Sequence, residues 1–153
     1  MPVNLVEPVY RPPSEAESFL LQVTIGCSHN ACSFCAMYKD KKYRVRGINE
    51  IHADIREAAL EFSRFGGLPR KVFLCDGDAL SAPTALLCSV LDEINRAFPR
   101  LMRIGIYASA RNVLEKSKEE LSLLARKKLK IAYLGVESGS NEVLSRIRKG
   151  ASY

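Results

Sequence analysis

The sequence predicts an α/β domain of about four parallel βα units. Runs of aliphatic, aromatic and β-branched residues at 19–25, 71–75, 103–108 and 130–136 read as strands, and segments of helical spacing alternate with them. Strands alternating with helices pair in parallel through right-handed crossovers. With 153 residues, 47% apolar and 26% charged, the chain can bury one core.

Residues 1–18 hold four of the seven prolines and predict an extended leader running over the surface, before a core domain at 19–153. Strand 19–25 opens that domain and delivers the chain to a cysteine-rich loop. In 49–65, Ile51, Ile55, Ala58, Ala59 and Phe62 form a helical stripe that Gly66 and Gly67 end. Strand 71–75, Lys-Val-Phe-Leu-Cys, is short and buried. Leu87, Val90, Leu91 and Ile94 share one face of a helix at 84–98, and Pro99 stops it. After strand 103–108, Ser117 with Glu120 three residues on is a capping box. The helix it opens turns Leu121, Leu124 and Ala125 inward. Strand 130–136 leads to a closing helix at 140–149, capped by Gly150.

Cys27, Cys32 and Cys35 fall within nine residues of the first loop. Several chemistries compete for them. A disulfide framework wants an even count and a secretory context, whereas the chain has five cysteines and no signal peptide. A redox pair from Cys32 and Cys35 leaves Cys27 unexplained. A structural zinc wants four ligands, and His29, between two of the cysteines, completes such a set poorly. Three thiolates from one loop fit an iron–sulfur cluster best. A cubane held this way leaves one iron without a protein ligand, an open position for a substrate or cofactor.

Chemistry in parallel βα folds gathers at the C-terminal ends of the strands. Following each strand here are the cysteine loop, then Asp76-Gly77-Asp78, then Ser109-Ala110-Arg111, then Glu137-Ser138-Gly139-Ser140. All four are polar, glycine-bearing or metal-binding, so they face one rim.

With these residues in place, the chain resembles the N-terminal part of a radical S-adenosylmethionine (radical SAM) enzyme from about residue 19 to 150. The resemblance implies a partial TIM-type barrel, with about four of the six βα units of that core. It also implies a [4Fe–4S] cluster whose open iron chelates S-adenosylmethionine, and reductive cleavage of the sulfonium to methionine and a 5′-deoxyadenosyl radical. Partners implied are an unknown substrate and a reductant such as flavodoxin or ferredoxin.

The resemblance carries over by position. Cys27, Cys32 and Cys35 match the cluster ligands, although the chain reads C-x4-C-x2-C where the family usually has C-x3-C-x2-C. Phe34 matches an aromatic that packs by the adenine, with a core aromatic under the loop as the equal alternative. Asp76, Gly77 and Asp78 resemble the Gly-Gly-Glu motif that holds the cofactor's amino group. Asp76 replaces the first glycine, and Asp78, with its shorter reach, is the expected contact over a plain turn aspartate. Glu137 resembles the acidic residue that contacts ribose or the amino end, and Ser138 presents a backbone donor beside it. Ser109 and Arg111 sit where ribose and the methionine carboxylate are met, with a solvated arginine as the alternative for Arg111.

Cys75 and Cys88 read as small core hydrophobes, and His29 and His52 as loop and helix-surface residues. Tyr38 and the residues 39–46 follow the loop with no chemistry assigned. The formal charge of +6 gathers in clusters at 41–46, 126–130 and 146–149 that read as solvated faces more readily than as a nucleic-acid footprint. Reduced cysteines, the lack of a targeting pattern and the lack of a membrane-length apolar run give a cytoplasmic expectation. Four units against six predict a truncated core with a free strand edge. A non-catalytic iron–sulfur electron carrier or relic, and an RNA-binding part of an RNA-modifying enzyme, are the alternative functions.

Overall fold

The computed structural model describes Val3 and residues 5–152; leader positions 1, 2 and 4 and position 153 lie outside the described residues. The chain runs β1 (Phe19–Gln22), β2 (Thr24–Ile25), β3 (Arg44–Val45), α1 (Ile48–Phe65), β4 (Lys71–Cys75), α2 (Thr84–Ala97), β5 (Arg103–Ala108), α3 (Ala110–Leu114), α4 (Lys118–Arg126), β6 (Leu129–Leu134) and α5 (Asn141–Arg146). The main sheet has the order β1-β4-β5-β6 and is parallel throughout. This is an α/β fold consistent with a partial TIM-type barrel, with the predicted strands as neighbours in chain order.

Side-chain alternation explains how the sheet is covered. Phe19, Leu21, Val72, Leu74, Ile104 and Ile106 join the core built with Ile51, Ile55, Leu87, Leu91, Ile94 and Leu124 of the helices. Leu20, Phe73 and Cys75 form a second cluster, with Tyr107 and Tyr133 packed against it. The Phe73 ring meets Tyr107 and Tyr133 edge-on, at 4.9 and 5.7 Å between centroids.

The leader lies over the sheet face that the helices leave open, with most of its described residues exposed or half-buried. It is anchored at a few points: Val3 is buried in the helix-side core, while Leu5 and Val9 pack on the second cluster. A short 3₁₀ turn, Pro13–Glu15, sets the fully buried Glu15 against the sheet. Gly105 leaves the room for it, since a Cβ there would lie 3.0 Å from Glu15 Oε1 and 3.1 Å from the Phe73 ring. Glu15 accepts hydrogen bonds from Arg103 at 2.5 Å, Ser18 at 2.5 Å and Tyr133 at 2.6 Å. Burial alone would raise this carboxyl, but those bonds and the Arg103 charge outweigh it and hold the group below its usual value. The physical reason is that a parallel sheet needs cover on both faces, and the crossover helices supply only one.

The first strand is also shorter than its apolar run. The main-sheet strand ends at Gln22, and Thr24 and Ile25 pair antiparallel with Val45 and Arg44. Arg46 makes the break, its N–H donating to Val23 O at 2.9 Å and its guanidinium to Gln22 O at 2.8 Å. The β2–β3 ribbon therefore ties together the two stems of the cysteine loop.

Elsewhere the predicted elements hold within a residue or two, apart from α5, which ends at Arg146 three residues early. The Ser117–Glu120 capping box is present in both directions, at 2.8 and 3.1 Å. The short helix α3 was not predicted. Its signal is a second box, in which Ser109 caps Asn112 N at 3.2 Å and Asn112 caps Ser109 N at 3.0 Å. β6 alternates between half-buried and exposed and pairs with β5 alone among the described residues. None of the described helices is long and apolar enough to cross a membrane.

Candidate metal and cofactor site

Because the four strands run parallel, their C-terminal ends share one rim. There a cavity of about 420 Å³ is lined by Cys27, Cys32, Cys35, Phe34, Gly77, Asp78, Ser109 and Glu137. Arg111 and Ser138 line an adjoining cavity of about 300 Å³, which Ser109 also borders. Asp76 lines neither.

Gly26 starts the cysteine loop at φ 75°, a left-handed turn that suits glycine. The three loop cysteines are free and partly exposed. Burial pushes the Cys27 thiol up, and the charges of Asp78 and Cys32 add to the rise, against hydrogen bonds from the Asn30 and His29 backbone. Cys75 is different: it is wholly buried under the sheet, with its thiol pushed up to about 12 by that burial. Cys88 packs half-buried against the helix-side core. What separates the five cysteines is position: Cys27, Cys32 and Cys35 line the rim cavity, whereas Cys75 and Cys88 pack against the apolar clusters.

Gly77 earns its place by contact. A Cβ there would collide with the Cys27 side chain and lie 2.9 Å from Cys27 Cα. Its N–H donates to Gly26 O at 3.0 Å, so the turn after β4 lies directly on the first cysteine. Asp78, buried, accepts from Ser28 N at 2.9 Å and from the Ser28 hydroxyl, bracing the residue after Cys27. Arg111 reaches the same hydroxyl at 3.2 Å.

The side chain of Asp76, expected among the cofactor contacts, lines neither cavity. It is completely buried, and its oxygens are taken by Lys41, Gln22 Nε2 and Gly26 N. In this arrangement the carboxylate serves the fold beneath the rim. Ser109 likewise spends its hydroxyl on capping α3, though it still borders the cavity.

Glu137 stands on the opposite wall at φ 64° and pairs with Lys149 Nζ at 3.2 Å. The Lys149 ammonium also lies 5.7 Å from the centre of the Phe34 ring. That ring is 52% exposed, so the reading of Phe34 as a core aromatic is overturned. Ser138 caps Ser140 N at 3.0 Å. Lys149 was read only as part of a solvated basic cluster; its position 12 residues after Glu137 gave no periodic signal. His29, read as a loop residue, is likewise held, its Nε2 at 2.7 Å from Arg148 O and its ring against Gly150. Ser33 N–H adds a bond to Ile147 O at 2.9 Å, so the end of α5 docks on the cysteine loop.

Among the described residues no three His, Cys, Asp or Glu side chains gather tightly enough to hold a single metal ion. One zinc would need its donors within about 2.3 Å of a common point. Cys27, Cys32 and Cys35 nonetheless all line the same cavity.

No curated protein matches the chain. The sequence model described as Radical SAM superfamily matches residues 21–153, which spans every rim residue above, and the chain therefore belongs to the radical SAM superfamily.

Proposed function

We propose that this chain is the cluster- and cofactor-binding core of a radical SAM enzyme, with Cys27, Cys32 and Cys35 holding a [4Fe–4S] cluster. The observation that carries the reading is the sorting of the cysteines. The three free, partly exposed thiols line one cavity with Gly77, Asp78 and Glu137, while Cys75 is sealed in the core. When bound, the cluster and S-adenosylmethionine would supply reductive cleavage of the sulfonium to a 5′-deoxyadenosyl radical.

The chain's own residues bind and orient. Glu137 is the carboxylate available to a cationic amino group or a ribose, since it lines the cavity and is partly exposed. Phe34 offers a ring face to the adenine beside the cysteines. Asp78 acts one step back, fixing Ser28 and so the backbone that carries Cys27. Ser138 and Gly139 shape the wall next to Glu137. A cavity beside the thiols favours catalysis over simple electron carriage, which needs no room for a second ligand. An external one-electron donor such as flavodoxin or ferredoxin, and a reducing cytoplasmic setting, complete the reading. The substrate is left open.

Anaerobic reconstitution tests it. The protein should take up about four irons per chain and show a broad absorbance that bleaches with dithionite. Alanine at Cys27, Cys32 or Cys35 should abolish both, while Cys75→Ala and Cys88→Ala keep them. Stoichiometric zinc without iron in anaerobic preparations would sink the assignment.

A further inference from the structure

Beneath the cysteine loop, Lys41 and Asp76 form an ion pair at 3.1 Å with side chains 4% and 0% exposed. The pair is tied into three other segments. Asp76 accepts from the Gly26 N–H at 2.7 Å and from Gln22 Nε2 at 3.0 Å. Lys41 Nζ donates to Val6 O at 2.6 Å. Gln22 in turn grips the same leader residue, donating to Val6 O at 3.0 Å and accepting from its N–H at 2.8 Å.

The positions of these ties decide what they do. Gly26 immediately precedes Cys27, and Lys41 lies six residues after Cys35, so one carboxylate joins both stems of the loop. Asp76 also adjoins Gly77, which packs on Cys27. It holds a left-handed φ of 70°, a conformation that costs a non-glycine residue and persists where its surroundings over-determine it. Desolvating two charges is costly as well, and such a pair survives only when its hydrogen bonds are complete, as they are here. Neither residue belongs to the apolar core that holds the sheet together.

We propose that Lys41 and Asp76 form a buried clasp that positions the three-cysteine loop, setting the thiols in place before any metal arrives. Both are positioning residues, and through Val6 the leader becomes part of the site's foundation. Preorganisation of this kind removes ordering cost from ligand binding. The inference deepens the cluster reading and rests on it for the metal, but its first test needs no metal.

The test uses metal-free full-length protein and the variants Lys41→Met, Lys41→Arg and the double Lys41→Met with Asp76→Asn. Timed iodoacetamide labelling, mapped by mass spectrometry, gives a rate for each cysteine, with Cys75 reporting on the core. Lys41→Met should speed labelling of Cys27, Cys32 and Cys35 by about tenfold, since stranding the buried carboxylate favours local opening, while Cys75 stays protected. Lys41→Arg, which keeps the charge, should restore slow labelling. After reconstitution, iron retention against a chelator should fall and recover in the same order, as should the electron paramagnetic resonance line shape of the reduced protein. Should Lys41→Met also expose Cys75, the double variant takes over, because it removes the clasp without leaving a lone charge. Unchanged rates at the three loop cysteines in a folded variant would overturn the clasp. Exposure of Cys75 in the double variant would overturn a role confined to the loop. Faster loop labelling in the variants, with no iron bound by the unaltered protein, would support the clasp and overturn the cluster reading instead.

Discussion

The cavity has two walls built on different physical terms. On the β1–β4 side, Asp76 and Asp78 are buried carboxylates with their oxygens engaged, and they hold the cysteine loop by its stems and at Ser28. On the β6–α5 side, Glu137 and Lys149 pair with side chains 33% and 18% exposed, and Val136 beside them is 72% exposed. Fully buried charges are fixed by the cost of parting them; a pair that keeps partial access to water is held less firmly. Under the proposed function, the first wall would be set before ligand binds, and the second would exchange its internal partner for one. The sheet shows the same gradient, since every residue of β1 is buried whereas β6 alternates with solvent. On the proposed reading, rigidity sits where the three thiols would hold a cluster, and adjustability where an organic cofactor would enter.

The largest expected effect comes from breaking the first wall at its tightest point. Gly77→Ala puts a methyl group into Cys27, and the nearest atoms include backbone, which cannot swing aside. Overpacking of this kind costs about 3 kcal/mol, the upper end of its usual range, or moves the cysteine instead. Either outcome should lower iron incorporation, and denaturant unfolding separates the two. Alanine at Gly139, on the second wall, meets no atom within 4 Å and should change neither. Equal effects at the two glycines would dissolve the distinction between the walls.

How far the sequence revealed these walls depends on the kind of signal. Helix stripes, Gly and Pro stops and the Ser117 box are local, so most elements fall where periodicity puts them. The three cysteines announce themselves by spacing, and the rim by its place after each strand. What could not be read is long-range pairing. Lys41 looked like one of a basic run, and nothing local says that its partner lies 35 residues on at Asp76. Asp76 and Asp78 look alike in sequence, yet one faces inward and the other borders the cavity, because the turn reverses between them. The leader is a related case: four prolines report an extended chain, but not that Val3, Glu15 and Ser18 are its buried anchor points.

The leader's buried carboxylate gives the next test, an intermediate one. Glu15 titrates below its unfolded value because its bonds to Arg103, Ser18 and Tyr133, and the Arg103 charge, outweigh the effect of burial. A group depressed in this way contributes stability in full above the unfolded carboxyl value near ~4.3, and loses it as pH falls through the lower folded value. Unfolding free energy should therefore decline on acidification below about pH 4.5. Glu15→Gln should remove part of that slope and cost about 2 kcal/mol at neutral pH, as hydrogen bonds to a charge become neutral ones. An unaltered acid slope in Glu15→Gln would assign the decline to other carboxylates.

The smallest effect on stability is expected at the second wall, and its smallness is the point. Lys149→Ala and Glu137→Gln should each change unfolding free energy by no more than about 0.5 kcal/mol, since a partly exposed pair of long side chains is worth little in water. Their double-mutant cycle should return a coupling of roughly 0.2–1 kcal/mol that shrinks in high salt. Binding should tell the opposite story. If Glu137 receives the cofactor's cationic or ribose groups, Glu137→Gln should weaken S-adenosylmethionine binding to the reconstituted protein by about tenfold, with the cluster intact. A residue of no consequence to the fold and of large consequence to the ligand is what an adjustable wall requires. A stability loss of several kcal/mol at Glu137, with cofactor affinity unchanged, would place it among the structural carboxylates beside Asp76 and leave the second wall without a ligand-facing acid.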